Sequence, residues 1–498
     1  MAKALDVIAV GVLALVLYLP NLSRHYDLDG VAEALALEDG FIFTPNHLLY
    51  RAVGYTTHSF LGAWGYHGAS LWTLRALSAV FGAMGIALTF LAFKRLTGHQ
   101  ILSAAGSLWL ATTPVYWGSS TDAGYVTLAS LFIAASLVCI FGPPTKLRMV
   151  SCGSCSGLAI LAWQGNVFFV PGVLLGLFIL HRKMGLKAIA VRSIFVLAPL
   201  AILVAAGFGA AGFSLGHTTI RGLLQWASGH VGGALPLWGK FELNRVVILG
   251  YSFVRSIVTG QSGVFPLLPA RLSMILIAVM SAVILAIQWR KTSAMRAEIL
   301  VLAVSFCLYV PFLVWWDPWA TKWFVVVNVF LAGIIVRIWS RHVSRKPLMA
   351  GLVAAVCLNA LTVFVEEVHP RHATASAAVA TAECVARHMT DKDLFLATDW
   401  YWADYLRYFH QRKVTSFLSK AADLGDKQKV FRAVNDVAGK TQQEGGTVYM
   451  IDFQSYSPEH IQWLESQTGI TAEEFAQFGS VPAFDCESKR LRKLLPLK

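Results

Sequence analysis

The chain has 498 residues, of which 56% are hydrophobic and 14% charged, with a formal net charge of +13 and a mean hydropathy of +0.59. Ordinary soluble domains carry about 25% charged residues, so a water-facing surface over the whole chain is excluded. The basic residues fall in short clusters between apolar runs, the pattern that fixes orientation in a membrane, and this excludes nucleic acid as the partner.

Apolar stretches suited to crossing a bilayer lie near 5–20, 71–93, 101–117, 123–142, 149–163, 166–181, 188–212, 271–289, 298–315, 323–340 and 348–365. They predict a mainly α, polytopic bundle of about eleven helices over 1–365. The amino terminus has one lysine and no small-residue cleavage site, so it reads as a retained first helix. Alternate connections hold Lys94 and Arg95; Lys146 and Arg148; Arg182, Lys183, Lys187 and Arg192; Arg290, Lys291 and Arg296; then Arg341, Arg345 and Lys346. Those faces are expected in the cytoplasm, with the amino terminus. The opposite connections carry most of the acidic and aromatic residues of the bundle, so the chemistry is expected outside.

The first of these contains Tyr26-Asp27-Leu28-Asp29-Gly30-Val31-Ala32-Glu33 and Thr44-Pro45-Asn46-His47-Leu48-Leu49-Tyr50-Arg51. Helices are predicted over 31–38 and 48–64, lying along the interface. A carboxylate backed by apolar helices can be tuned to take a proton from a hydroxyl, whereas Asp27 and Asp29 also suit the N-cap of a helix starting near Val31; both readings stand. Asp122, with Tyr125 one turn later, pairs topologically with Asp29 or caps the fourth helix.

Cys152 and Cys155 sit in a small-residue stretch that suits helix packing better than metal or redox chemistry. Cys139, Cys307 and Cys357 lie in apolar runs as small hydrophobes. The connection over 213–270 supplies His217, Arg221, His230, Lys240, Arg245 and Arg255 against one acid, Glu242, a surface for lipid headgroups or for the phosphate of a lipid-linked substrate. In Trp315-Trp316-Asp317-Pro318-Trp319-Ala320-Thr321-Lys322-Trp323 the tryptophans fit an aromatic belt. Lys322 there either holds a phosphate or snorkels.

Residues 366–498 read as a soluble extracytoplasmic α/β domain, with strands at 393–398 and 447–452 and helices at 402–412 and 427–441. It lacks a Gly-x-Gly-x-x-Gly nucleotide signature, and its Cys384 and Cys486 form a candidate disulfide.

These segments resemble the GT-C superfamily of integral-membrane glycosyltransferases that use polyprenyl-phosphate sugars, over roughly the first 365 residues. Asp29 with Gly30 and Glu33 resembles the acidic motif of protein O-mannosyltransferase-like members, with Asp27 as the competing assignment. Thr44 to Tyr50 resembles their His-Pro-Pro-x-x-Tyr-like segment with Thr and Asn replacing two residues. Asp122-Ala-Gly-Tyr125 is similar to the acid-and-tyrosine corner, and Trp316 through Lys322 to the late external loop near the lipid phosphate.

The resemblance implies inverting transfer to an acceptor hydroxyl, with Asp29 as base and Asp27 and Asp122 as further catalytic carboxylates. Lys322, Arg245 and Arg255, with His47 and Tyr125, would bind the donor and its leaving phosphate. It implies a polyprenyl-phosphate sugar and a lipid, glycan or protein acceptor as partners, a bacterial inner membrane as the setting, and no required cofactor. The Asp27-x-Asp29 spacing leaves a divalent metal open. A transporter or flippase would instead place ionisable groups in mid-span, where these spans hold few. A scaffold would bind its partner through Trp400-Tyr401-Trp402 with Asp404 and Tyr405, a cluster that otherwise packs on the bundle or covers its cavity.

Overall fold

The structure, a computed structural model, describes residues 2–228, 241–258, 293–340, 346–398, 400–456, 458–476, 478–487 and 489–495. The predicted span at 271–289, His230, Lys240 and the side chains of Trp400, Tyr401 and Trp402 lie outside the described set. The chain forms two compact units. The first comprises Met1–Ser23, Ile42–Ala227 and Trp238–Ala373; the second comprises Arg24–Phe41, Ser228–Leu237 and Thr374–Lys498.

In chain order the helices are α1 (Ala2–Tyr18), α2 (Leu28–Glu38), which belongs to the second unit, α3 (Leu48–Ala63), α4 (Ser70–Thr97), α5 (Gln100–Ala111), α6 (Pro114–Thr121), α7 (Val126–Ile140), α8 (Lys146–Ala162), α9 (Val170–Leu180), α10 (Leu186–Ser214), α11 (Ile220–Ser228), α12 (Leu243–Ile257), α13 (Ser293–Trp316), α14 (Phe324–Trp339), α15 (Lys346–Val363) and α16 (His369–Ala373). Among the described residues, six helices are long and apolar enough to cross a membrane, or seven if the bent pair α6–α7 counts as one span. The other apolar runs are shorter, as in Gln100–Ala111 and Gln164–Leu180.

The run predicted as one span at 101–117 is two helices, because Thr113 accepts the Tyr116 N–H as an N-cap and Pro114 occupies the first turn, where its missing N–H costs nothing. The chain then bends by 118° before α7. Packing relies on small residues, as expected around the two cysteines: a Cβ on Gly153 would lie 2.0 Å from the Val196 carbonyl oxygen of α10, and Gly157 abuts Leu200 one turn further. Cys152 is buried, its Sγ 3.8 Å from the Ser136 carbonyl of α7.

One end of the first unit gathers basic residues on carboxylates and backbone carbonyls. Lys94 Nζ lies 2.9 Å from Asp6 Oδ2, and Arg337 pairs with Glu298. Arg95 donates to the Val138 carbonyl, and Arg192 Nε to that of Pro144 at 3.0 Å. Other connections of the first unit hold His47, Asp122, Tyr125, Arg245 and Lys322.

The second unit is α/β. It contains α17 (Ala377–Arg387), β1 (Leu394–Ala397), α18 (Trp400–His410), β2 (Lys413–Ser416), α19 (Phe417–Leu424), α20 (Lys427–Gln443), β3 (Val448–Ile451), α21 (Pro458–Thr468), α22 (Ala472–Ala476), β4 (Ser480–Cys486) and β5 (Lys489–Leu494). The sheet order is β2-β1-β3-β5-β4, with β1 parallel to β2 and β3 and β5 antiparallel to β3 and β4. Leu-Phe-Leu-Ala of β1 is buried throughout, as a central parallel strand covered on both faces requires. Leu394, Leu396, Phe417, Val434 and Met450 share one core. Cys384 and Cys486 form the expected disulfide, tying α17 to β4 across 102 residues.

Candidate functional site

The candidate residues of the first unit are held on four connections. A 3-10 turn, Pro45–His47, leads into α3 and lays the His47 ring on Tyr125, with centroids 3.6 Å apart and planes 15° from parallel. One turn into α3, the buried Tyr50 meets Tyr125 edge-on at 6.4 Å. Its hydroxyl donates to the Leu74 carbonyl at 3.2 Å and lies 3.0 Å from Ser78 Oγ. Ser78 holds the corner after α6 from the other side, accepting the Gly124 N–H at 3.1 Å. The Asp122–Tyr125 corner is therefore fixed by α3 and α4 together.

Asp122 is buried and stands at the C-cap of α6, with Oδ1 accepting the Ala123 N–H at 2.8 Å. It does not cap the following helix, one of the two roles expected for it: α7 starts at Val126 with Tyr125 in the N-cap position.

Tyr125 continues the aromatic tier to Trp323, 6.0 Å away, and Trp323 stacks on Trp163 at 4.9 Å and 10°. Trp163 in turn meets Tyr309 at 6.1 Å, whose hydroxyl donates to Asn166 Oδ1 at 2.8 Å. The belt reading fits Trp319, 65% exposed, and not Trp323, which is 6% exposed. Lys322, on the 3-10 turn Thr321–Trp323, places Nζ 5.2 Å from the Trp323 ring centroid, a cation–π contact of about 0.5–2 kcal/mol.

Helix α12 lies beside this connection: Arg245 Nη2 donates to the Trp316 carbonyl at 3.0 Å and Ser252 Oγ to that of Trp319 at 3.4 Å. Arg255 is held apart from Arg245, its guanidinium 5.5 Å from the Tyr251 ring and ten residues, about 15 Å, further along the helix. The structure thus joins His47, Tyr125 and Lys322 in one tier, with Asp122 at its corner and Arg245 on the same connection. It leaves Arg255 on Tyr251.

Two features of this region were not singled out from sequence. Trp163 lies at the end of a run read only as a span. Arg75 is buried on α4, one turn before Ser78; its signal is an arginine inside an apolar run.

Asp27 and Asp29 belong to the second unit. Helix α2 begins at Leu28, three residues before its predicted start; Asp27 is exposed at the N-cap position and makes no side-chain capping hydrogen bond. Asp29 is half-buried in the first turn, and Glu33 one turn on is buried. Tyr26, just before the helix, has φ +47°, a left-handed conformation that costs a non-glycine residue about 1–3 kcal/mol unless its surroundings hold it. They do: Tyr405 of α18 donates its hydroxyl to the Tyr26 carbonyl, and the Tyr26 ring lies 5.0 Å from that of Phe409. At the other end of α2, Arg407 pairs with Asp39 at 2.8 Å.

Cys384, His388 and Cys486 bring metal-type donor atoms within 4.8 Å of one another. The two sulfurs are joined to each other, so they are not thiolate ligands, and the His388 ring stacks on Phe484 at 4.1 Å.

No known family model matches the sequence, nor does any curated protein. Solved structures do match. ArnT from Cupriavidus metallidurans, solved bound to undecaprenyl phosphate, aligns with a TM-score of 0.54 at 14% identity over 99% of this chain and 98% of its own. The fold is that of the GT-C membrane glycosyltransferases. The Archaeoglobus fulgidus oligosaccharyltransferase in its apo form shares it, with a TM-score of 0.51 and 11% identity over 95% of this chain and 72% of its own. The archaeal oligosaccharyltransferase AglB from Archaeoglobus fulgidus, solved with an inhibitory peptide and a dolichol-phosphate, aligns at 0.50 and 10% identity over 95% of this chain and 72% of its own. The GT-C fold expected from sequence, a polytopic helical bundle with a small sheet-containing domain, is the one found.

Proposed function

We propose that the protein is a membrane glycosyltransferase that moves a sugar from a polyprenyl-phosphate donor to an acceptor hydroxyl on the extracytoplasmic side, with inversion at the anomeric carbon. The observation that carries this reading is the tier at one end of the first unit. There Lys322 stands over Trp323, Trp323 stacks on Trp163, and Arg245 is bound to the same connection. Cations set among indoles at a bundle end suit a phosphate carried on an apolar chain, because the low-dielectric wall strengthens their attraction to it.

The acceptor oxygen attacks the anomeric carbon while a carboxylate takes its proton. The bond from that carbon to the phosphate oxygen breaks, and the polyprenyl phosphate leaves with the negative charge that Lys322 and Arg245 stabilise. Asp29 is assigned the base, with Asp27 and Asp122 as the competing carboxylates. Nothing in this scheme requires a cofactor. The likeness in fold to a protein solved with undecaprenyl phosphate and to one solved with dolichol-phosphate supports a polyprenyl carrier.

The extracytoplasmic side, taken here as that of a bacterial inner membrane, is supported by the Cys384–Cys486 disulfide, which suits an oxidising compartment. It is supported too by the amino-terminal Asp6 lying with Lys94 at the basic end. Purified protein in lipid nanodiscs, given a polyprenyl-phosphate sugar and an acceptor extract, should release polyprenyl phosphate and yield a product of inverted anomeric configuration by NMR. Movement of the intact donor between leaflets of a vesicle, with no cleavage, would replace the transferase with a flippase.

A further inference from the structure

We propose that α18 of the carboxy-terminal α/β fold is the mount that positions the catalytic carboxylate on α2, with Tyr405 and Arg407 as positioning residues. This rests on Asp29 being the base.

Helix α2 has only 11 residues, too short to be stable alone in water, so its direction is set by what holds its ends. Both ends are held by α18. Before the first turn, the Tyr405 hydroxyl bonds to the Tyr26 carbonyl; Tyr405 is almost wholly buried and its ring stacks on Phe409 at 6.0 Å, so the hydroxyl has one orientation. The Tyr26 ring rests on that same Phe409. The bond falls on the residue whose left-handed backbone turns the chain into α2, three positions before Asp29. After the last turn, Arg407 pairs with Asp39 at the C-cap of α2. Removing the first contact lets the lead-in relax toward ordinary φ, which rotates the start of the helix and the half-buried Asp29 with it.

The two contacts differ in weight. The Tyr405 bond is part-buried, whereas Arg407 and Asp39 are 44% and 40% exposed, so their pair is worth little by itself.

The test is a cycle of variants assayed for sugar transfer in detergent, with donor affinity measured alongside. Tyr405→Phe keeps the buried ring and removes one hydroxyl; it should lower kcat about tenfold and leave donor affinity within twofold. In an Asp29→Asn background it should cost nothing further, because a residue acting through Asp29 has nothing left to position. The exposed pair gives a second probe that spares the core: Asp39→Arg should lower kcat a few-fold, and adding Arg407→Asp should restore it. If Asp29→Asn abolishes transfer while Tyr405→Phe keeps the wild-type kcat, the mount is overturned and the base stands. The mount is overturned in the same way if Tyr405→Phe lowers kcat by an equal factor with or without Asp29. If Asp29→Asn itself transfers at the wild-type rate, the base assignment fails, and the mount with it.

Discussion

The candidate cations of the bundle unit and several cations of the α/β unit are steadied by different means. In the bundle unit the candidate cations lie against rings and carbonyls: Lys322 over Trp323, Arg255 over Tyr251, Arg245 on the carbonyl of Trp316. In the α/β unit cations meet carboxylates, as in Arg412–Asp391, Lys427–Glu474 and Arg492–Asp452, and a disulfide closes the fold. Burying an ion pair in apolar surroundings costs desolvation that a ring face does not demand; the bundle's own pairs, Lys94–Asp6 and Arg337–Glu298, lie away from the candidate cations. On the proposed function, the bundle grips a charged lipid and the α/β unit carries α2. Substitutions in one unit should then change donor affinity, and substitutions in the other should change transfer or stability alone.

The largest effect should come from Asp29→Asn, which is expected to lower transfer by about 10²-fold or more with donor affinity intact; Asp27→Asn and Asp122→Asn should cost less. Replacing Cys384 and Cys486 together by serine should destabilise the α/β unit by about 2–4 kcal/mol, read as a lower melting temperature, and leave donor affinity unchanged. Loss of donor binding in that variant would break the division. Lys322→Ala should weaken donor binding by about 1.5–3 kcal/mol, with Lys322→Arg partly restoring it. An unchanged affinity would return Lys322 to snorkelling.

The smallest effect concerns Asp393. Burial raises its pKa, but hydrogen bonds from the Thr390 and Thr447 N–H groups and the Thr390 hydroxyl, with Lys493 nearby, outweigh this and hold it below the usual value. A group depressed on folding contributes stability above its unfolded pKa of about 3.9 and loses it as pH falls through the folded value. The melting temperature of the α/β unit should therefore drop on acidification below about pH 4. Asp393→Asn should flatten that drop and cost about 1–2 kcal/mol at neutral pH.

The long apolar helices were legible because nothing interrupts them: the run read at 71–93 is the core of α4, which ends where Gly98 takes a left-handed C-cap. The break at Thr113–Pro114 was written in a cap signal that continuous hydropathy hides. Strands β1 and β3 were legible as short apolar runs, whereas β5, Lys-Arg-Leu-Arg-Lys-Leu, buries only Leu491 and Leu494 in its pattern and reads as a charged tail. In the candidate site, His47, Tyr125 and Lys322 were each visible. Their gathering around Trp323 and Trp163 was not, since no local pattern says which rings from separate connections will stack. The holding of α2 by α18 was illegible for the same reason.

That holding sets a schedule for making the protein. Tyr26 and Asp39 wait for partners that lie 379 and 368 residues later in the chain. At a synthesis rate of about 5–20 residues per second, roughly 20–75 s separate the emergence of the first loop from that of Tyr405 and Arg407. On the proposed reading, a nascent or truncated chain can insert its bundle and expose the tier around Lys322 without a positioned base. Residues made late then act as a quality gate on that reading, and transfer begins only in molecules whose α18 has met α2.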